Sequence, residues 1–134
     1  MKLPTKIKNK THITQYIGRL REYNYKVFTF QNNRKMRIPI AGIADYLIIG
    51  NGLVNFFEAK LKSTKDKLSD DQVEFQKIIK GIENIYGQFS PVRYQILTEE
   101  NTARVVENLI LHSKIWQDAE SQPKNIIGDH NVRN

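Results

Sequence analysis

Asp45, Glu58 and Lys60 are the residues whose types and spacing can carry chemistry in this chain. They sit on two apolar runs joined by Asn51-Gly52. Asn-Gly between hydrophobic runs is a strong hairpin signal, because a type I′ turn needs positive φ at both central residues and these two tolerate it. With Asn51-Gly52 as the two-residue loop, Gly50 pairs with Leu53, and counting outward pair by pair sets Asp45 opposite Glu58. Directly opposed residues share one face of a sheet with Cβ atoms about 4.5–5.5 Å apart, where like charges repel. Two carboxylates so placed either share a proton, which raises a pKa, or bind a hard divalent cation. Oxygen donors with few nitrogens favour Mg²⁺ or Mn²⁺. Lys60 falls two residues past Glu58, so the strand's period of two puts its ammonium on the same face. A metal beside a fixed positive charge is an arrangement suited to attack on a phosphodiester.

The competing reading is a solvated hairpin end with Lys60 as a surface counter-ion, a common and energetically minor arrangement. The flanks argue against it. Tyr46-Leu47-Ile48-Ile49 and Leu53 to Phe57 are apolar on both faces apart from Asn55, as in central strands covered by helices on both sides. Charges on such strands are costly unless they are used.

Charge and composition bound the partners. The 134 residues suit one domain, and 40% hydrophobic with 10% aromatic residues can form a core. No window approaches 18 apolar residues, so no membrane partner is expected. Met1 to Lys10 is basic without an apolar core, so a secretory signal is not expected and a cytoplasmic protein is. The absence of cysteine excludes disulfides, thiol nucleophiles and Cys-based zinc sites. His12, His112 and His130 lie far apart and read as ordinary polar residues. A net charge of +7, from 21 Lys+Arg against 14 Asp+Glu, points to a polyanion such as nucleic acid or an anionic membrane surface, and the sequence offers no basic amphipathic helix for the latter. Arg34, Lys35 and Arg37 precede the Asp45 run, while Lys62, Lys65 and Lys67 follow the Glu58 run. They are candidate phosphate contacts, giving salt-dependent binding with little sequence preference. Solvated loops are the alternative reading of both clusters.

The elements that must position these residues follow from periodicity. Ile13, Tyr16, Ile17 and Leu20 predict a helix over 10–22. Tyr25 to Phe30 reads as a first strand and the hairpin supplies the second and third. Lys62 to Leu68 is a charged loop. Ser69-Asp70-Asp71-Gln72 then opens a second helix as a capping box, with the stripe Phe75, Ile78, Ile79 and Ile82 and an end near Gly81. Pro91 breaks the chain, Arg93 to Leu97 is a fourth strand, and Thr98 can cap a third helix carrying Val105, Val106, Leu109, Ile110 and Trp116. The expected fold is α/β (α+β) in the order α-β-β-β-α-β-α, with a central mixed sheet flanked by helices. One domain over 1–116 and a polar tail over 117–134, partly disordered, complete the expectation. There is no internal repeat.

Taken together, Gly42-x-x-Asp45, Glu58-Ala59-Lys60 and Leu68-Ser69-x-x-Gln72 resemble the VRR-NUC branch of the PD-(D/E)XK nuclease superfamily. A looser resemblance is to archaeal Holliday-junction resolvases. The match covers roughly residues 10–100 with the three motifs in the family's order. It implies a restriction-endonuclease-like core in which Asp45, Glu58 and the Ala59 carbonyl hold catalytic Mg²⁺ or Mn²⁺. It also implies that Lys60 orients or activates the attacking water. For Gln72 the resemblance implies a site residue near the metal, whereas the local sequence explains it as Ser69's capping partner. The implied activity is DNA endonuclease cleavage, on branched substrates such as Holliday junctions, by a homodimer of a phage-type stand-alone domain in the bacterial or phage-infected cytoplasm. A non-catalytic DNA-binding module, or a nuclease for flaps, ends or specific duplex sites, is the alternative. One departure stands out: family members often carry a metal-binding Glu in the first helix. Here the acidic residue preceding Asp45 is Glu22, at that helix's far end, with His12 or Gln15 as substitutes.

Overall fold

In the computed structural model, which describes residues 2–30 and 42–121, three α-helices and four strands follow in the expected order. They are α1 (Lys10–Gly18), β1 (Lys26–Thr29), β2 (Tyr46–Gly50), β3 (Leu53–Ala59), α2 (Asp70–Tyr86), β4 (Val92–Leu97) and α3 (Thr102–Ser121). The strands form one mixed sheet in the spatial order β1-β2-β3-β4, antiparallel except for the parallel pair β3 and β4. The chain is therefore α/β with a mixed sheet between helices.

The hairpin register is the one counted from the turn. Gly50 pairs with Leu53 and Tyr46 with Phe57, and Asn51 and Gly52 have φ of 50° and 79°. The turn is also tied down from outside. Asn51 donates its side-chain amide to Tyr23 O (2.9 Å), and His112 Nε2 lies 2.9 Å from Asn51 O. The Trp116 ring covers Gly52 so closely that a Cβ there would lie 2.6 Å from it. His112 is thus a structural residue, and Trp116 works through the turn.

Each face of the sheet has its own core. Ile13, Ile17 and Leu20 from α1 and the 3₁₀ turn Arg19–Tyr23 join Val106 and Ile110 of α3 against Tyr46, Ile48, Phe57 and Leu97. On the other face Phe75, Ile79 and Ile82 of α2 pack on Phe56, Tyr94 and Ile96. The Phe75 ring meets Phe56 edge-on at 5.1 Å between centroids. Helical cover of this second face is narrower than expected. Phe28 and Ile49, near the β1 edge, stay 46% and 39% exposed.

Four boundaries differ from the sequence expectation. The first helix leaves α geometry at Arg19 and closes as a 3₁₀ turn, ending on Asn24 in the left-handed region. The second runs through Gly81 and stops at Gly87, whose φ of 61° takes the chain out of the helix. A mid-helix glycine costs only about 1 kcal/mol relative to alanine, which the packing of Ile79 and Ile82 outweighs. Thr98 does not cap α3. Its Oγ1 accepts the Glu100 N–H in a preceding turn, and α3 begins at Thr102. The polar stretch from Gln117 opens as the last turn of α3, which continues to Ser121.

Candidate functional site

Asp45 stands just before β2 and Glu58 is the penultimate residue of β3, where the antiparallel ladder ends. Beyond Tyr46 and Phe57 the two side chains replace the ladder. The Asp45 N–H donates to Glu58 Oε2 (3.1 Å) and the Ala59 N–H donates to Asp45 Oδ2 (2.9 Å). The carboxylates are therefore neighbours held by each other's backbone. Glu58 is only 1% exposed. Burial, and then the adjacent Asp45 charge, push its carboxyl up to about 7, against the opposing pull of Lys60. Asp45 is also raised, burial outweighing the Ala59 N–H and the charges of Lys10 and Lys60. Two neighbouring acids that both resist ionisation are the kind of oxygen donors that could hold a hard divalent cation.

Gln72 caps α2 and also reaches Glu58. Its Oε1 accepts the Ser69 N–H (2.8 Å) and Ser69 Oγ accepts the Gln72 N–H (3.3 Å), completing the capping box. The same side chain donates through Nε2 to Glu58 Oε1 at 2.7 Å. The cap fixes the amide oxygen, so the NH₂ group is aimed without further ordering. Gly42 lets this happen. At φ +81° its Cα lies so near α2 that a Cβ would come within 2.3 Å of Asp71 O, which brings the helix start beside the approach to β2.

Lys60 lies on the same side as Glu58, its Nζ 3.7 Å from Glu58 Oε1 and its side chain 14% exposed. The first helix supplies a cation rather than an acid. Lys10 lowers both carboxyls electrostatically and pairs with Asp66 at 3.2 Å. Hydrogen bonding to Lys10 holds Asp66 below the ordinary carboxylate range. His12 is occupied as the acceptor of the Lys8 N–H. Among the described residues no group of three or more His, Asp or Glu side chains converges on a common point. Asp45 and Glu58 are the two carboxylates in this part of the described structure that could hold a metal.

Lys10, Asp66 and Gly42's packing role were missed by sequence reasoning. Lys10 and Asp66 are 56 positions apart in a chain whose local pattern gives neither a role. The remaining basic residues divide. Lys62, Lys65 and Lys67 are exposed on the loop after β3. Glu99 anchors that loop by accepting the Lys62 and Ser63 N–H groups (2.7 and 2.9 Å), and the Lys62 ammonium pairs with Glu100 at 2.9 Å. Arg34, Lys35 and Arg37 lie outside the described residues, as does His130. Comparison with protein-family models, curated proteins and solved structures found no match, so the residues themselves carry the functional reading.

Proposed function

We propose that this chain is a divalent-metal-dependent DNA endonuclease with a restriction-endonuclease-like core, selective for branched DNA and acting as a cytoplasmic homodimer. The observation that carries it is the adjacent pair of a half-buried Asp45 and a buried Glu58, with Gln72 and Lys60 both on Glu58 Oε1. Asp45, Glu58 and the Ala59 carbonyl would hold Mg²⁺ or Mn²⁺, which supplies Lewis acidity toward a phosphate and a more acidic bound water. The chain's own groups do the rest. Gln72 and the Asp45 N–H fix the Glu58 carboxylate in one orientation, as a site of this kind requires. Lys60, mostly buried, presents an ammonium where it can offset negative charge gained by a phosphate in the transition state. Lys62, Lys65 and Lys67 offer phosphate contacts along the adjoining loop. No helix among the described residues is long and apolar enough to cross a membrane.

A second reading has an observation of its own. Lys10 and Lys60 already stand near the carboxylate pair, so a binding module could keep this fold charge-balanced without cleavage. Purified protein incubated with four-way, flap and linear DNAs in Mg²⁺, Mn²⁺ or EDTA separates the two. Metal-dependent cleavage lost by about 10²-fold or more in Asp45→Asn and Lys60→Ala is expected for the enzyme. Binding without cleavage in either metal rejects it. Paired symmetric cuts on four-way DNA identify a junction resolvase; cuts confined to flaps or ends identify the other nuclease classes.

A further inference from the structure

We propose that the cleft between α2, α3 and the outer edge of β4 binds a nucleotide-sized organic anion, with Asn55 at its floor and Arg93, Arg104 and Lys80 around it. The cleft has a volume of about 550 Å³, within the usual span of small-molecule sites. None of Asp45, Glu58, Lys60 or Gln72 lines it, and the alternation along β3 turns Asn55 and Phe57 to the face opposite Glu58.

Asn55 is the residue that the fold does not explain. It is 3% exposed in the central strand, between the buried Leu53 and Phe57. Among the described residues its Nδ2 has no hydrogen-bond acceptor. A buried amide without a partner destabilises a fold, and an aliphatic side chain at this position would remove the cost. Natural sequences break such rules at functional sites. A ligand oxygen or ring nitrogen reaching the floor would accept from this amide.

The rest of the cleft specifies the ligand's other end. Arg93 is set in advance, since its Nε donates to Ser90 O and its Nη2 to Gln88 O, both at 3.1 Å. Those bonds orient the guanidinium and leave further N–H groups for an anion, which reduces the ordering cost of binding. Lys80 pairs with Glu83 at 3.3 Å, and Glu83 also accepts the Tyr94 N–H. Against that one carboxylate stand three cations. Phe57 and Leu109 give the interior apolar surface to cover a ring. Phosphate toward the cations, ring against the apolar wall and an acceptor at Asn55 together describe a nucleoside monophosphate.

Isothermal titration of the full chain in EDTA, with the four common 5′-nucleoside monophosphates, their nucleosides and inorganic phosphate, tests this apart from the metal-dependent activity. At least one monophosphate should bind 1:1, with its nucleoside and inorganic phosphate each weaker by about tenfold or more, the fold-change that one good polar contact gives. Asn55→Leu and Arg104→Gln should each weaken the nucleotide to a similar extent. Arg104 is exposed, so its substitution tests the site without touching the core. Absence of saturable binding for all four up to ~1 mM, phosphate alone binding as tightly, or affinity indifferent to both substitutions would each overturn the assignment.

Discussion

The Glu58 carboxyl keeps its proton up to about pH 7, whereas in the unfolded chain it ionises near its ordinary value of 4.5. Between those values the native state holds more protons than the unfolded one, so stability is greatest below the window and falls as pH rises through it. Asp45, also raised, acts with the same sign. In EDTA the Tm should therefore drop between pH 5 and pH 8, and Glu58→Gln should remove most of that slope in differential scanning fluorimetry. Gln72 can be tested at the same scale. Gln72→Ala removes the reciprocal half of the capping box, the acceptor of the Ser69 N–H, together with a bond to a buried carboxyl, and should cost about 1–3 kcal/mol in urea denaturation. The cap was legible in the sequence. That the same side chain also bonds Glu58 was not, because the cap is a pattern over four residues while Glu58 lies 14 positions away.

Legibility at the scale of elements depended on whether a boundary is set locally. The β2–β3 register was readable because Asn51-Gly52 fixes it by backbone conformation alone, and with it came the placement of Asp45 against Glu58. Gly81 was misread as a helix end because its sequence neighbourhood resembles one, whereas packing on Phe56, Tyr94 and Ile96 carries α2 another turn. A Cβ at Gly81 would meet nothing within 4 Å. Gly81→Ala should accordingly stabilise the protein by roughly 0.5–1 kcal/mol, measured by thermal or urea unfolding. The exposed β1 side of the sheet could not be anticipated either. Apolar alternation reports that a face is suited to burial, not how far a neighbouring helix reaches.

For the whole molecule, the apolar stripe of α2 extends past the sheet it covers. Ile78 and Ile85 of α2 are 59% and 77% exposed, and Phe89, in the 3₁₀ turn that follows the helix, is 82% exposed. Large exposed apolar surface on a folded chain is characteristic of interaction sites. If this surface serves the proposed two-fold dimer, the double substitution Ile85→Lys and Phe89→Lys should convert it to a monomer in multi-angle light scattering while leaving its circular dichroism unchanged. The net charge of +7 was legible at once, but its division between anchored and free lysines was not, since Glu99 and Glu100 approach Lys62 only through the β3–β4 pairing. Because Asp45 and Glu58 each accept a main-chain N–H from the other's strand, they are the hairpin's last rungs as well as its charged groups. Whatever becomes of the proposed chemistry, neither residue can be freely discarded: alanine at either position would orphan a backbone donor. Asparagine at 45 and glutamine at 58 keep an acceptor oxygen for it, so the hairpin end can lose its carboxylate charge only by exchanging one carboxylate oxygen for an amide nitrogen.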